Sequence, residues 1–237
     1  MEHFMTEIVT PFHAPSGDAK LVLFADEEIH DGGGAEQEVG KYLSRCAAYA
    51  AACKVHLVSG LFVHRDNLCL CLIDPKGRPL CRQPALHLSL PQEGRYATGS
   101  EVAVTHTELG NFYLCVDADI YHPQTVRAAA LKGADVVLSI QHLDPAEDTP
   151  ERQMRSIWNA AQSNNLYVVN LSAKGGSVAC PAPITRARDG YLVRRTGAFP
   201  MRFGLNLTRL DDVRSGFQIM ENINTRLVQN YAAELGR

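Results

Sequence analysis

The chain has 237 residues, 46% of them hydrophobic and 21% charged, with a formal net charge of −3. That length can bury a substantial core without disulfides or metals. The lack of a basic excess or a Lys/Arg run argues against nucleic-acid or anionic-membrane partners, and no apolar stretch is long enough to span a bilayer. Residues 1–10 carry no Lys or Arg and no apolar h-region, so a secretion signal is not expected and the cytoplasm is the expected compartment.

In chain order, Lys20–Phe24 is a short apolar run and reads as a buried strand. The acidic residues 26–28 and the Gly32-Gly33-Gly34 loop end it. Ala35–Lys54 is Ala-rich, with Val39, Leu43, Cys46, Ala47 and Ala50 on one face, and predicts a helix. Val55–Val63 reads as the next strand. Asn67–Asp74, the turn Pro75-Lys76-Gly77 and Arg78–Arg82 form a hairpin pattern. Phe112–Val116 is a further buried strand. Pro123–Leu131 is a helix with Pro in its first turn and Gly133 past its end. Strand 135–140, helix 151–165 and strand 166–171 follow. A second hairpin is expected from Pro183–Arg188 and Tyr191–Arg195 around Asp189-Gly190, then a polar, partly helical tail from Asp211. Strands and helices alternate with no Pro/Gly/Ser linker, so a single domain over residues 1–237, with two sheets and outer helix layers, is the expected organisation.

Seven cysteines are scattered, several of them within apolar stretches such as Leu68-Cys69-Leu70-Cys71-Leu72, and none forms a CxxC pair. They read as buried reduced thiols; no metal site and no cofactor is expected.

Several short motifs in order resemble the nitrilase (carbon–nitrogen hydrolase) superfamily over roughly residues 18–210. Leu21-Val22-Leu23-Phe24 resembles the strand leading into the family's Phe-Pro-Glu. Asp74-Pro75-Lys76-Gly77 is similar to its Asp-Pro-x-Gly hairpin, and Leu86-His87-Leu88 to the end of its Lys-x-His-Leu. Pro91–Gly99 resembles the loop carrying its second Glu. Glu108-Leu109-Gly110, Gly133-Ala134-Asp135 and Asn164–Asn170 complete the set. The resemblance implies an α/β fold, a four-layer α-β-β-α sandwich. Only 25 residues precede Asp26 and Phe12–Ser16 contains Pro, so the family's first strand and helix are expected to be shortened or missing.

The family's reaction uses a thiolate nucleophile, a Glu base and a Lys that stabilises the tetrahedral intermediate. At the matching positions stand Asp117, Asp26 and Ala85. Pro123 anchors the reading without a gap, from Asp117-Ala118-Asp119 to His122-Pro123. Glu93 matches the second Glu. Cys115, two residues before Asp117, reads as a buried strand thiol, and His87 and His122 are expected near the pocket mouth. Asp26, Glu93 and Asp117 are therefore expected to converge without a cation to balance them, which favours a cationic ligand or a protonated carboxyl. Three functions follow as expectations: a non-catalytic small-molecule-binding or regulatory protein, a hydrolase of amide, N-carbamoyl or nitrile C–N bonds using carboxylates, or a structural subunit of a larger assembly. The resemblance also implies a homodimer or higher homo-oligomer, with residues 211–237 as a contact element.

Overall fold

The apolar runs become strands, and the two-residue alternation within them sorts side chains between two faces. A computed structural model describes residues 3–34, 36–143, 149–172 and 175–226. The first sheet holds β1 (His3–Val9), β2 (Ala19–Phe24), β3 (His56–Val58), β4 (Phe62–His64), β5 (Asn67–Ile73), β6 (Pro79–Pro84) and β13 (Met201–Asn206). Its order is β13-β1-β2-β3-β5, with β4 and β6 both paired to β5. The second sheet runs β12 (Tyr191–Thr196), β11 (Gly175–Ala179), β10 (Tyr167–Ser172), β9 (Val136–Gln141), β8 (Gly110–Val116), β7 (Val104–Thr107).

The sheets pack face to face. Leu21, Leu23, Leu70 and Leu72 from one meet Leu114, Val116, Leu138, Ile140 and Val169 from the other in a shared core. The opposite residues point outward. Val22 and Phe24 pack under helix α1 (Glu36–Cys53). Tyr113, Val137 and Val168 pack under α2 (Pro123–Leu131) and α3 (Pro150–Asn164). The expected four-layer sandwich is present. Each layer buries an apolar face that would otherwise meet water, at about 25 cal/mol per Å².

The first strand is present, contrary to expectation. β1 lies between β13 and β2, parallel to β2, and its Phe4 and Ile8 enter the core. What residues 10–18 lack is a helix between the two parallel strands: they connect by turns, held by Tyr49 Oη donating to His13 O (2.6 Å) and Ser16 N donating to Glu7 Oε2 (3.0 Å). The stretch Val55–Val63 divides into β3 and β4. The second hairpin's first strand is β11, upstream of the expected Pro183–Arg188, which turns instead.

The tail begins with α4 (Leu207–Gly216) and folds back on its own chain. Arg214 Nη1 donates to Asp135 Oδ1 (2.6 Å), and Asn165 Nδ2 to Phe217 O (2.6 Å). Leu227 and Tyr231, expected contact residues of the tail, lie outside the described residues. No described helix is long and apolar enough to cross a membrane.

Candidate functional site

Asp26 and Asp117 each follow the last residues of a central strand, β2 and β8. In stacked α/β architectures the carboxyl ends of strands are where loops gather and sites form. Here the loops after β1, β2, β9 and β10 meet.

Asp117 sits at the strand-to-turn junction with φ +50°, in the left-handed region that a non-Gly residue adopts only under local constraint. Its carboxylate is fully buried. Oδ1 accepts from His142 N (2.7 Å) and Oδ2 from Gln92 Nε2. Burial drives its pKa upward; the bonds from Gln92 and His142 oppose this but do not win, so the group lies above the ordinary 3.8. Two residues on, Asp119 is also fully buried and accepts from Leu86 N (3.1 Å), His87 N (2.8 Å) and His87 Nδ1 (2.9 Å). One short turn, 117–121, thus ties down the loop at residues 86–92 and the exit from β9.

Asp26 has a different setting. Its Oδ2 accepts from His30 Nε2 at 2.7 Å and lies 3.5 Å from Tyr42 Oη, while Glu28 N donates to Oδ1 at 3.3 Å. Burial raises its pKa, but the His30 hydrogen bond and charge, with the Glu28 amide, outweigh it and leave the carboxyl below 3.8. Tyr42 is buried beneath His30, the rings stacked 3.7 Å apart. Beside Asp26 a cleft of about 310 Å³ is lined by Thr10, Ala25, Glu27, Glu28, Ser172 and Phe199 among others.

His142 joins the two carboxylate settings. Its backbone N–H serves Asp117 while its ring Nε2 donates to Asp26 O (2.9 Å). His142 and Gln92 were not anticipated. The one available signal was position: His142 directly follows β9, and Gln92 adjoins the expected Glu93.

The remaining expected residues separate. Ala85 is fully buried in the core, its N–H bonded to Leu68 O (2.8 Å). Glu93 is exposed and does not converge with Asp117; the neighbouring Gln92 takes that place. His87 and His122 come together, their rings stacked 3.6 Å apart and 6° from parallel. His122 is lowered below its usual pKa by burial and by the charges of His87 and Arg152, against Asp119. Cys115 is fully buried on the outer face of the second sheet, and burial pushes its thiol well above 9.0. All seven cysteines are free thiols. Among the described residues no group of three or more His, Cys, Asp or Glu could hold a metal ion.

Solved structures share this fold over nearly the whole chain. A carbon–nitrogen hydrolase from Helicobacter pylori G27 superposes with a TM-score of 0.77 at 14% identity, covering 97% of this chain and 98% of that one. This chain has the nitrilase-type fold. An amidase from Nesterenkonia sp. gives a TM-score of 0.71 at 18% identity, with 97% of each chain covered. Saccharomyces cerevisiae Nit3, a member of branch 10 of the nitrilase superfamily, gives 0.72 at 14%, covering 95% of this chain and 97% of its own. No protein-family model and no curated protein matches the sequence. At these identities the nitrilase-type likeness establishes the fold, and function must be argued from the residues.

Proposed function

We propose that this chain is a non-catalytic protein of nitrilase-type fold that binds a small organic cation, an amine or guanidinium, in the cleft beside Asp26. The observation that carries this is Asp117. At the position matched to the family nucleophile stands a carboxylate with no exposed surface and both oxygens engaged. Such a group has no approach for an electrophile. The family's Lys position is Ala85, inside the core, and Cys115 is an inert buried thiol.

The cation preference rests on the cleft. Asp26 is held in its ionised form, Glu27 and Glu28 are exposed beside it, and Phe199 supplies an aromatic wall. Carboxylates with an adjacent ring suit an ammonium or guanidinium group. His142, which bonds both Asp117 and the Asp26 backbone, favours a second reading: a chain retained for its role in an assembly.

Two measurements separate these readings. Ammonia release from amides, N-carbamoyl compounds and nitriles should be absent in wild type. Release abolished by Asp117→Asn would overturn the non-catalytic reading. Calorimetry with a panel of amines and guanidines should show saturable binding that Asp26→Asn weakens at least tenfold; no binding by any of them leaves the assembly reading.

A further inference from the structure

The outer face of the second sheet carries a polar row that extends beyond the Asp26 cleft and the Asp117 bracket. Strand register sets Cys115 beside Ser139, Ser139 beside Asn170, and Asn170 beside Ser177. All four are buried, in a layer whose other members are Tyr113, Val137, Val168 and Ala179. One step along, Gln141 pairs in register with Ser172. At the far edge Arg195 of β12 continues the row, its Nε donating to Gln153 Oε1 (3.1 Å) from the first turn of α3. Helix α3 packs across β10, β11 and β12, so its inward Gln153 covers this row.

Four of these side chains hold polar atoms that find no hydrogen-bond partner. Both side-chain polar atoms of Gln141 and of Asn170, Gln153 Nε2 and Arg195 Nη2 are buried and unpartnered among the described residues, while Ser139 has the Cys115 thiol beside it. Asn170 is 0% exposed, and Gln141 and Gln153 are 1% exposed. Arg195 has no carboxylate within ion-pair distance among the described residues, whereas Arg194 beside it pairs with Asp189 (2.8 Å). Buried polar groups in native proteins are satisfied, and an amide that is sealed and unbonded is unfavourable. Four unsatisfied side chains in one layer therefore point to something that bonds them. The character of the row says what. Three amide NH₂ groups and a guanidinium outnumber the acceptors, the guanidinium carries a charge, and the positive end of the α3 dipole lies at this level.

We propose that this row is a binding site for a small oxyanion, a carboxylate or an inorganic oxyanion such as phosphate. Arg195 neutralises it, the amides of Gln153, Asn170 and Gln141 donate to its oxygens, and Ser139 completes the floor. The site lies on the opposite face of the sheet from the shared core, and its ligand charge is opposite to that of the Asp26 cleft.

The test titrates the full-length chain calorimetrically with sodium acetate and separately with inorganic phosphate, against sodium chloride at matched ionic strength. Saturable binding of at least one anion is expected, and which one binds identifies the source. Arg195→Gln should lower the affinity at least tenfold. Asn170→Asp supplies the carboxylate from the chain itself, so it should raise the melting temperature in chloride and abolish the titration. The proposal is overturned by no saturable binding of either anion, by affinity unchanged in Arg195→Gln, or by a lower melting temperature in Asn170→Asp. A variant of Arg195 that fails to fold leaves the wild-type titration and Asn170→Asp to decide.

Discussion

Asp26 and Asp117 are the same residue type at equivalent places, the carboxyl ends of central strands in two facing sheets, yet the fold treats them oppositely. Asp26 borders a cleft, keeps its charge through His30, and shares its backbone oxygen with His142. Asp117 is sealed, holds two donors from two different loops, and is pushed toward its neutral form by burial. The difference lies in what surrounds each group. One carboxylate borders a cleft and bonds a histidine ring; the other is fully enclosed between an amide side chain and a backbone N–H. A carboxylate at a strand end thus borders a cleft in one sheet, where the proposed function makes it a binding group, and is a structural clamp in the other.

The sharpest way to break this comparison is to remove each side chain. Asp117→Ala leaves the His142 N–H and the Gln92 amide buried without their acceptor. Two lost hydrogen bonds with stranded buried donors should cost about 3–5 kcal/mol. For a chain of this size that lowers the melting temperature by about 10 °C. Asp26→Ala, in a partly open setting, should cost only about 1 kcal/mol but remove most amine affinity. Thermal melts paired with calorimetry on the two variants check this. Equal losses of stability would erase the distinction between clamp and ligand group.

The second test is the pH dependence, where the two shifts carry opposite signs. Asp117 in the folded chain titrates above its ordinary 3.8, so the folded state holds a proton that the unfolded state has lost, and stability falls as pH rises through that window. Asp26 titrates below 3.8, so its contribution is complete above that pH and is lost as pH falls through the lowered folded value. Urea midpoints measured from about pH 2.5 to 6 should show Asp117→Asn losing the decline above 3.8, and Asp26→Asn losing part of the acid-side drop. The same direction of change in both variants would mean that one environment is misread.

Much of the fold was legible because its signals are local. The Asp74-Pro75-Lys76-Gly77 motif is a closed unit: Asp74 Oδ1 accepts from Lys76 N and Arg78 N, both at 2.8 Å, and Gly77 takes φ +78°. Gly133 likewise ends α2 at φ +85° before Asp135, whose carboxylate accepts from Asn111 N (2.9 Å) and Arg214. β1 was not legible because its Thr6 and Glu7 are polar yet buried, which breaks the alternation, and because no helix separates it from β2. At the site, Asp26 and Asp117 stand at strand ends while Ala85 lies in the core, and in the following loop Gln92 turns inward to Asp117 and Glu93 outward. Nothing in a linear motif encodes which of the two neighbours turns inward. His142 was invisible for the same reason: it acts through 116 residues of sequence separation to reach Asp26.

The smallest expected effect concerns Cys115, which lies two residues from Asp117 and is the thiol nearest to it in sequence. It has no exposed surface, its neighbours on the sheet face are Ser139 and apolar side chains, and burial holds its thiol protonated at neutral pH. Iodoacetamide should therefore leave it untouched in the native protein while modifying the partly exposed Cys53 and Cys81, and it should react only in denaturant. Cys115→Ala should cost about 1 kcal/mol, the loss of one small buried group, and change neither amine nor anion binding. Native-state alkylation at Cys115 would mean that the second sheet opens at the end of β8. Asp117 would then be reachable as well, and its assignment as a sealed clamp would fall with it.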